Sequence, residues 1–134
     1  MTELTETRLA TLERVAPDLL EIRYKADQKL DVEGLREVMQ ERQRLCPEGP
    51  YRVLAVFPPD GDFDLGVMMQ DHYAGRGLQN CTQALAIAAG STLIERMVGL
   101  YYAYFPQPFD MRVFLSEEDA RHWLTSKRNA PSLN

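Results

Sequence analysis

The segment from Tyr51 to Phe57 narrows the choice of fold more than any other. It reads Tyr-Arg-Val-Leu-Ala-Val-Phe, apolar and rich in β-branched residues, with no alternation of polar and apolar positions. A strand with water on one face alternates. A strand covered on both faces does not, and such coverage belongs to parallel sheets packed between helices. Pro47, Gly49 and Pro50 precede the run, and the loop Pro58-Pro59-Asp60-Gly61-Asp62 follows it, so the boundaries of a central strand are fixed on both sides. Thr82 to Ala89 repeats the pattern more weakly, because alanine is a poor strand former.

The flanking segments supply the partners such a strand needs. Arg8 to Arg14 reads as a strand, Ala16-Pro17-Asp18 as a turn, and Leu19 to Tyr24 as a half-buried strand in which Leu20, Ile22 and Tyr24 alternate with Glu21 and Arg23. These two strands form a hairpin. Asp31 caps a helix whose apolar stripe is Leu35, Val38, Met39, Leu45 and Cys46, with Arg36, Glu37, Glu41, Arg42 and Arg44 on the solvent side. Phe63 to Tyr73 is expected to be a short helix weakened by Gly66, and Gly75-Arg76-Gly77 interrupts the chain after it. Ser91 caps a long helix, Thr92 to Phe105, which Pro106 and Pro108 end. Met111 to Leu115 is a short strand. Ser116 then caps a last helix with Glu117, Glu118 and Asp119 at its positive end and Ala120, Trp123 and Leu124 on its buried face. The order ββαβαβαβα predicts an α/β fold, a mostly parallel sheet of about five strands with one antiparallel edge.

With 134 residues the chain is expected to form one domain, over residues 6–128, with flexible ends at 1–5 and 129–134. A domain of this size buries about two-thirds of its unfolded surface and needs no metal or disulfide to fold. Fifteen Lys and Arg stand against twenty Asp and Glu, a net charge of −5 that argues against nucleic acid as a partner. No apolar run is long enough to cross a membrane. The start, Met-Thr-Glu-Leu-Thr-Glu, has no signal-peptide character. Cys46 and Cys81 do not form a Cys-x-x-Cys pair and read as small buried hydrophobes, which fits a cytoplasmic location.

The element order resembles the SpoIIAA-like, or STAS-like, fold of sulfate-transporter and anti-sigma-factor-antagonist domains. The stretch Met111-Arg112-Val113-Phe114-Leu115-Ser116-Glu117-Glu118-Asp119-Ala120-Arg121-His122-Trp123-Leu124 is similar to the ending of small bacterial SpoIIAA-like proteins of unassigned role. The resemblance covers Arg8 to about Arg128. It implies a non-enzymatic regulatory or protein-interaction module. In the antagonist branch a phosphorylatable hydroxyl lies in a turn at the start of the helix after the third strand. That place here is Pro59-Asp60-Gly61-Asp62-Phe63-Asp64-Leu65-Gly66, and no Ser or Thr occurs from Arg52 to Asn80, so a phosphoserine switch has no acceptor at this turn. Asp60, Asp62, Phe63 and Asp64 instead form an anionic bend that either caps the following helix or contacts a partner.

Other constellations carry little chemistry. Asp60, Asp62 and Asp64 match a calcium loop in part, but Leu65 stands where the loop needs Gly and Asp71 where it needs Glu. His72 and His122, the two histidines, belong to no triad readable by spacing. Gly75-Arg76-Gly77 lacks the Lys-Ser/Thr of a phosphate loop, and Gly90-Ser91-Thr92 reads as a helix cap. No pattern requires a cofactor or a metal.

The helix Thr92 to Phe105 is the most informative segment. Ile94, Met97, Val98, Tyr101 and Phe105 make one stripe, and Leu93, Leu100 and Tyr104 extend it beyond what covering a sheet requires. The surface Leu93, Met97, Leu100, Tyr101, Tyr104 and Phe105 is therefore expected to meet a second copy in a homodimer, another protein, or an apolar ligand. A ligand carrier, as in related SEC14-like lipid-binding domains, would need a pocket of several hundred Å3 lined by Tyr101, Phe105, Met68 and Met69. An enzyme would need the Asp60–Asp64 cluster or His72 to converge with a second reactive group in a cleft.

Overall fold

The hairpin read from the sequence opens the sheet. The computed structural model describes residues 3–45 and 49–128. Strands β1 (Glu3–Glu6), β2 (Ala10–Ala16) and β3 (Leu19–Tyr24) come first, followed by β4 (Lys29–Leu30), α1 (Val32–Leu45) and β5 (Tyr51–Val56). Then come β6 (Asp62–Phe63), a 3-10 turn (Leu65–Met69), the short α2 (Leu78–Cys81), β7 (Thr82–Ala88), α3 (Thr92–Tyr104), β8 (Asp110–Phe114) and α4 (Glu117–Arg128). The main sheet has six strands in the order β1-β2-β3-β5-β7-β8. The first two pairings are antiparallel and the other three parallel.

The sixth strand is β1, where a flexible end was expected. Its residues are mostly polar, so periodicity could not mark it, and it is held by pairing along the edge of β2. Thr7 makes the turn between them: its amide donates to the Ala10 carbonyl at 2.8 Å, and the Ala10 amide donates to its hydroxyl at 3.2 Å. That turn moves the start of β2 from the expected Arg8 to Ala10. The expected ends at Met1, Thr2 and 129–134, and Cys46, lie outside the described residues.

Register aligns the apolar positions into layers. Leu12, Ile22, Ala55, Ile87 and Val113 lie side by side across five strands, and Leu20, Val53, Leu85 and Met111 form the layer beside them. This face packs against α1 and α3. The opposite face, Leu54, Ala84, Ala86 and Ala88, packs against Ala120 and Leu124 of α4. The alanines that weakened the strand reading of β7 are explained here, since small side chains let α4 lie close to the sheet. Ser116 caps α4 as expected, its hydroxyl accepting from the Asp119 amide at 3.2 Å. Ser91 caps α3 in the same way, through the Ile94 amide at 3.2 Å.

Where the chain leaves β7 it must turn against the end of β5. Gly90 has φ +80°, and a Cβ there would meet the Phe57 carbonyl oxygen at 2.9 Å. Only glycine fits both the left-handed backbone and the close approach.

The expected helix over Phe63 to Tyr73 is replaced by a two-residue strand and one 3-10 turn. β6 pairs in parallel with β4. Asp64 then caps the 3-10 turn by accepting from the Gly66 amide at 3.3 Å, and Gln70 is extended again. Gly66 inside so short a segment leaves too few good helix formers to propagate a helix.

Candidate functional site

The layer Ile22–Ala55–Ile87 has its smallest side chain at the centre of the sheet. α1 and α3 cover this face of the sheet without filling the space in front of Ala55. The result is an apolar cavity of about 140 Å3. Ile22, Val53, Ala55, Leu85 and Ile87 line it from the sheet, and Leu35, Val38, Met39 and Arg42 from α1. Ile94, Met97, Val98, Tyr101 and Tyr102 line it from α3. Leu30, Gly61, Asp62, Phe63, Val67 and Met68 close it from the β4–β6 ladder and the 3-10 turn.

The two segments singled out in the sequence thus meet at one place. The bend Asp60–Gly66 and the helix Thr92–Phe105 are neighbouring walls of the same cavity. Phe63 and Asp62 line it, while Asp60 and Asp64 are exposed and Asp64 is spent as a cap. Of the four residues expected to line a ligand pocket, Tyr101 and Met68 do so. Phe105 instead packs its ring against Tyr101 at 5.2 Å, and Met69 turns outward. The hollow is also smaller than the several hundred Å3 expected, and Met97, Val98, Tyr101 and Tyr102 are among its walls.

α3 divides its apolar residues between two surfaces. Ile94 and Tyr101 are buried against the cavity side. Leu93, Leu100 and Tyr104 are 62%, 48% and 69% exposed, and Met97 is half-buried on the boundary. On the 3-10 turn, Leu65 and Met69 are also exposed.

The Tyr101 hydroxyl ties α3 to the segment that closes the cavity. It accepts from the His72 amide at 2.8 Å and donates to the Gln70 carbonyl at 2.9 Å. His72 Nε2 lies 2.8 Å from the Val67 carbonyl, and burial holds the imidazole pKa below its ordinary value. The Asp71 carboxylate accepts from the Tyr73 amide and from Gln107, not from the His72 ring. Among the described residues no carboxylate hydrogen-bonds the His72 ring, although Asp62 and His72 both line the cavity.

One residue the sequence reading put in solvent is in the core. Arg42, expected on the polar face of α1, is 2% exposed and lines the cavity. Its guanidinium donates to the hydroxyls of Tyr51 (3.1 Å), Tyr73 (3.4 Å) and Thr82. It lies 5.7 Å from the Tyr51 ring centre and 5.5 Å from that of Tyr73, within range for attraction to a ring face. The Tyr73 hydroxyl meets that of Tyr102 at 2.9 Å. Tyr24, stacked on Phe57 with ring centres 4.5 Å apart, completes this end of the cavity. Burial pushes the hydroxyls of Tyr24 and Tyr102 well above the ordinary tyrosine range, so both keep their protons. Spacing held the signal: Leu35, Val38, Met39, Arg42 and Leu45 fall on one helix stripe.

The remaining candidates, Arg76, His122 and Cys81, lie off the cavity lining. Arg76 turns back to the His72 carbonyl at 3.0 Å, and Gln43 holds the Arg76 carbonyl at 2.8 Å. His122 is exposed beside the packed Trp123. Cys81 is a free thiol, half-buried. Among the described residues no group of three His, Cys, Asp or Glu side chains could hold a metal, and no helix is long and apolar enough to cross a membrane.

Comparison with solved structures places the architecture. The chain is similar to an uncharacterised protein of the DUF3478 family with a SpoIIAA-like fold from Shewanella loihica PV-4. The two are 15% identical over 92% of each chain, with a TM-score of 0.52. The fold is SpoIIAA-like, as the element order implied. Comparison with curated proteins gives no match. A family model described as a domain of unknown function, DUF7793, matches residues 14–128, and the chain belongs to that family.

Proposed function

We propose that this domain is a non-enzymatic binding module that takes up a small, mostly apolar molecule between its sheet, α1 and α3. The cavity over Ala55 carries the reading. Dense cores close such hollows, because each void forfeits packing contacts. An apolar cavity of about 150 Å3 is large enough to admit benzene. The walls also differ in how firmly they are fixed. The sheet, α1 and α3 are long elements, whereas the closing segment is a two-residue ladder and one 3-10 turn held by the Tyr101 hydroxyl. That arrangement suits entry from the side of Phe63 and Met68. Titration with benzyl alcohol, followed by amide chemical shifts, tests it. Millimolar probe should shift the amides of Ala55, Val98 and Tyr102. Shifts confined to exposed residues would overturn the reading.

A second reading, docking of a partner on the outside of α3, draws on the exposed side chains of Leu93, Leu100 and Tyr104, with half-buried Met97 between them. Their spacing of 93, 97, 100 and 104 forms one stripe, and a contiguous apolar stripe of this kind is a recurrent interface signal. A second copy of the chain is the simplest occupant, since symmetric dimers are the commonest assemblies. Sedimentation at micromolar concentration should then give about twice 15.3 kDa, and Leu100→Glu should return the value to one chain. A single-chain mass for the unaltered protein would remove this reading.

A further inference from the structure

Among the described residues, the cavity's polar end has donors without matching acceptors. A guanidinium has five N–H groups and cannot shed its charge at accessible pH. Three of those of Arg42 go to neutral hydroxyls, on Tyr51, Tyr73 and Thr82. The other two have no partner among the described residues, and no carboxylate among those residues forms an ion pair with Arg42. The ion pairs among the described residues are made by other cations, among them Arg23, Arg121 and Lys127.

The hydroxyls nearby add to the imbalance. Tyr73 and Tyr102 share one hydrogen bond, so whichever donates, one hydroxyl proton is left for a further acceptor. The Tyr24 hydroxyl has no partner among the described residues. The one acid on the cavity lining, Asp62, sits on the exposed closing strand, and its carboxylate accepts from the adjacent Phe63 amide at 2.9 Å. Buried charges in proteins are ordinarily paired or hydrogen-bonded throughout, because desolvation of an unpaired ion is costly. An apolar hollow with a buried cation and spare phenolic protons at one end has the chemistry of a receptor for an amphiphilic anion.

We propose, resting on the ligand-binding reading above, that the molecule taken up carries an anionic oxygen group, in its simplest form a carboxylate. That group sits on the Arg42 guanidinium beside the hydroxyls of Tyr24, Tyr73 and Tyr102. The apolar remainder of the ligand lies over Ala55. Planar two-oxygen acceptors suit a guanidinium because two parallel N–H···O bonds can form at once.

The test compares benzoate with benzyl alcohol, a neutral probe of matched size, in the intact chain at neutral pH. Amide shifts give both affinities. Benzoate should bind about tenfold more tightly, the margin expected for a charge-assisted hydrogen bond over a neutral one. Arg42→Gln should abolish that margin. Because Arg42 also ties α1 to β5 and β7, Tyr24→Phe provides an independent arm. It keeps the ring on Phe57 and should weaken benzoate several-fold while leaving benzyl alcohol unchanged. Equal affinity of the two probes, or benzyl alcohol alone binding, overturns the anion assignment and leaves the cavity reading standing. Binding of neither probe overturns both.

Discussion

The Tyr101 hydroxyl and the His72 backbone amide lie 2.8 Å apart, and the two rings stack with centres separated by 5.7 Å. Together with the bond to Gln70 this clasps the cavity's closing segment to α3. Tyr101→Phe keeps the ring and deletes both hydrogen bonds. It should cost about 1–2 kcal/mol in denaturant unfolding, since one half-buried amide is left unpaired. More specifically, amide exchange should accelerate over Leu65–Tyr73 and leave β5 and β7 unchanged, because the low-stability unit is the one released.

His72 makes that clasp sensitive to pH. Burial lowers its pKa from 6.5, while the Val67 carbonyl and Asp71 pull upward and Arg76 downward. The folded state therefore prefers the neutral ring more than the unfolded chain does. Its contribution is fully present above about pH 6.5 and is lost as pH falls through the lower folded value. Thermal midpoints measured from about pH 7.5 to about pH 5.5 should fall on the acid side, and His72→Gln should flatten that part of the profile. An unchanged slope in the variant would assign the acid sensitivity elsewhere.

The parts of this molecule that were legible in the sequence are those in which one residue type does one job. Tyr51–Val56 lacks alternation because it is covered on both faces. Ser91 and Ser116 cap because their side chains can reach the free amides. Ile94 and Tyr101 point inward because period 3.6 dictates it. The parts that were not legible depend on pairing or on mixed chemistry. β1 is polar and exists through the edge of β2. β6 is two residues long and exists through β4. Arg42 was assigned to water by its charge although its spacing put it on the buried stripe, and only the hydroxyls of Tyr51, Tyr73 and Thr82, distant in sequence, make that burial tolerable. The cavity was foreshadowed by Tyr101 and Met68 but not by Ala55, because a small residue signals a hollow only once its neighbours Ile22 and Ile87 are known.

A second titration belongs to the far face. Arg23 donates to both Glu117 oxygens at 2.9 and 2.7 Å, and with Arg121 it holds the Glu117 carboxyl down at about 2, against the opposing effect of burial. The folded value lies below the ordinary 4.5, so this contribution is complete above about pH 4.5 and disappears as pH falls toward 2. Both partners are partly exposed, so screening limits it to about 1 kcal/mol. Glu117→Gln should lower stability by that amount at pH 7, measured by urea unfolding, and the difference from the unaltered protein should vanish near pH 2.

Two alanines on the same sheet should respond with opposite sign to the same substitution. Ala86 is fully buried under α4, where Ala84, Ala88, Ala120 and Leu124 already fill the space. Ala86→Val must push the helix away and should cost about 1–3 kcal/mol, the usual penalty for overpacking. Ala55 lies one strand over and faces the hollow of about 140 Å3. Ala55→Val places its added methyl groups in that space beside Ile22 and Ile87, suits a strand backbone, and should stabilise by about 1 kcal/mol. The same change takes volume from the ligand, so benzyl alcohol should lose affinity as thermal stability rises. A hollow maintained at a cost in stability is expected where binding depends on it. If Ala55→Val destabilised the fold as much as Ala86→Val, the space above Ala55 would be no larger than the packing under α4, and the cavity would lose its standing as a site.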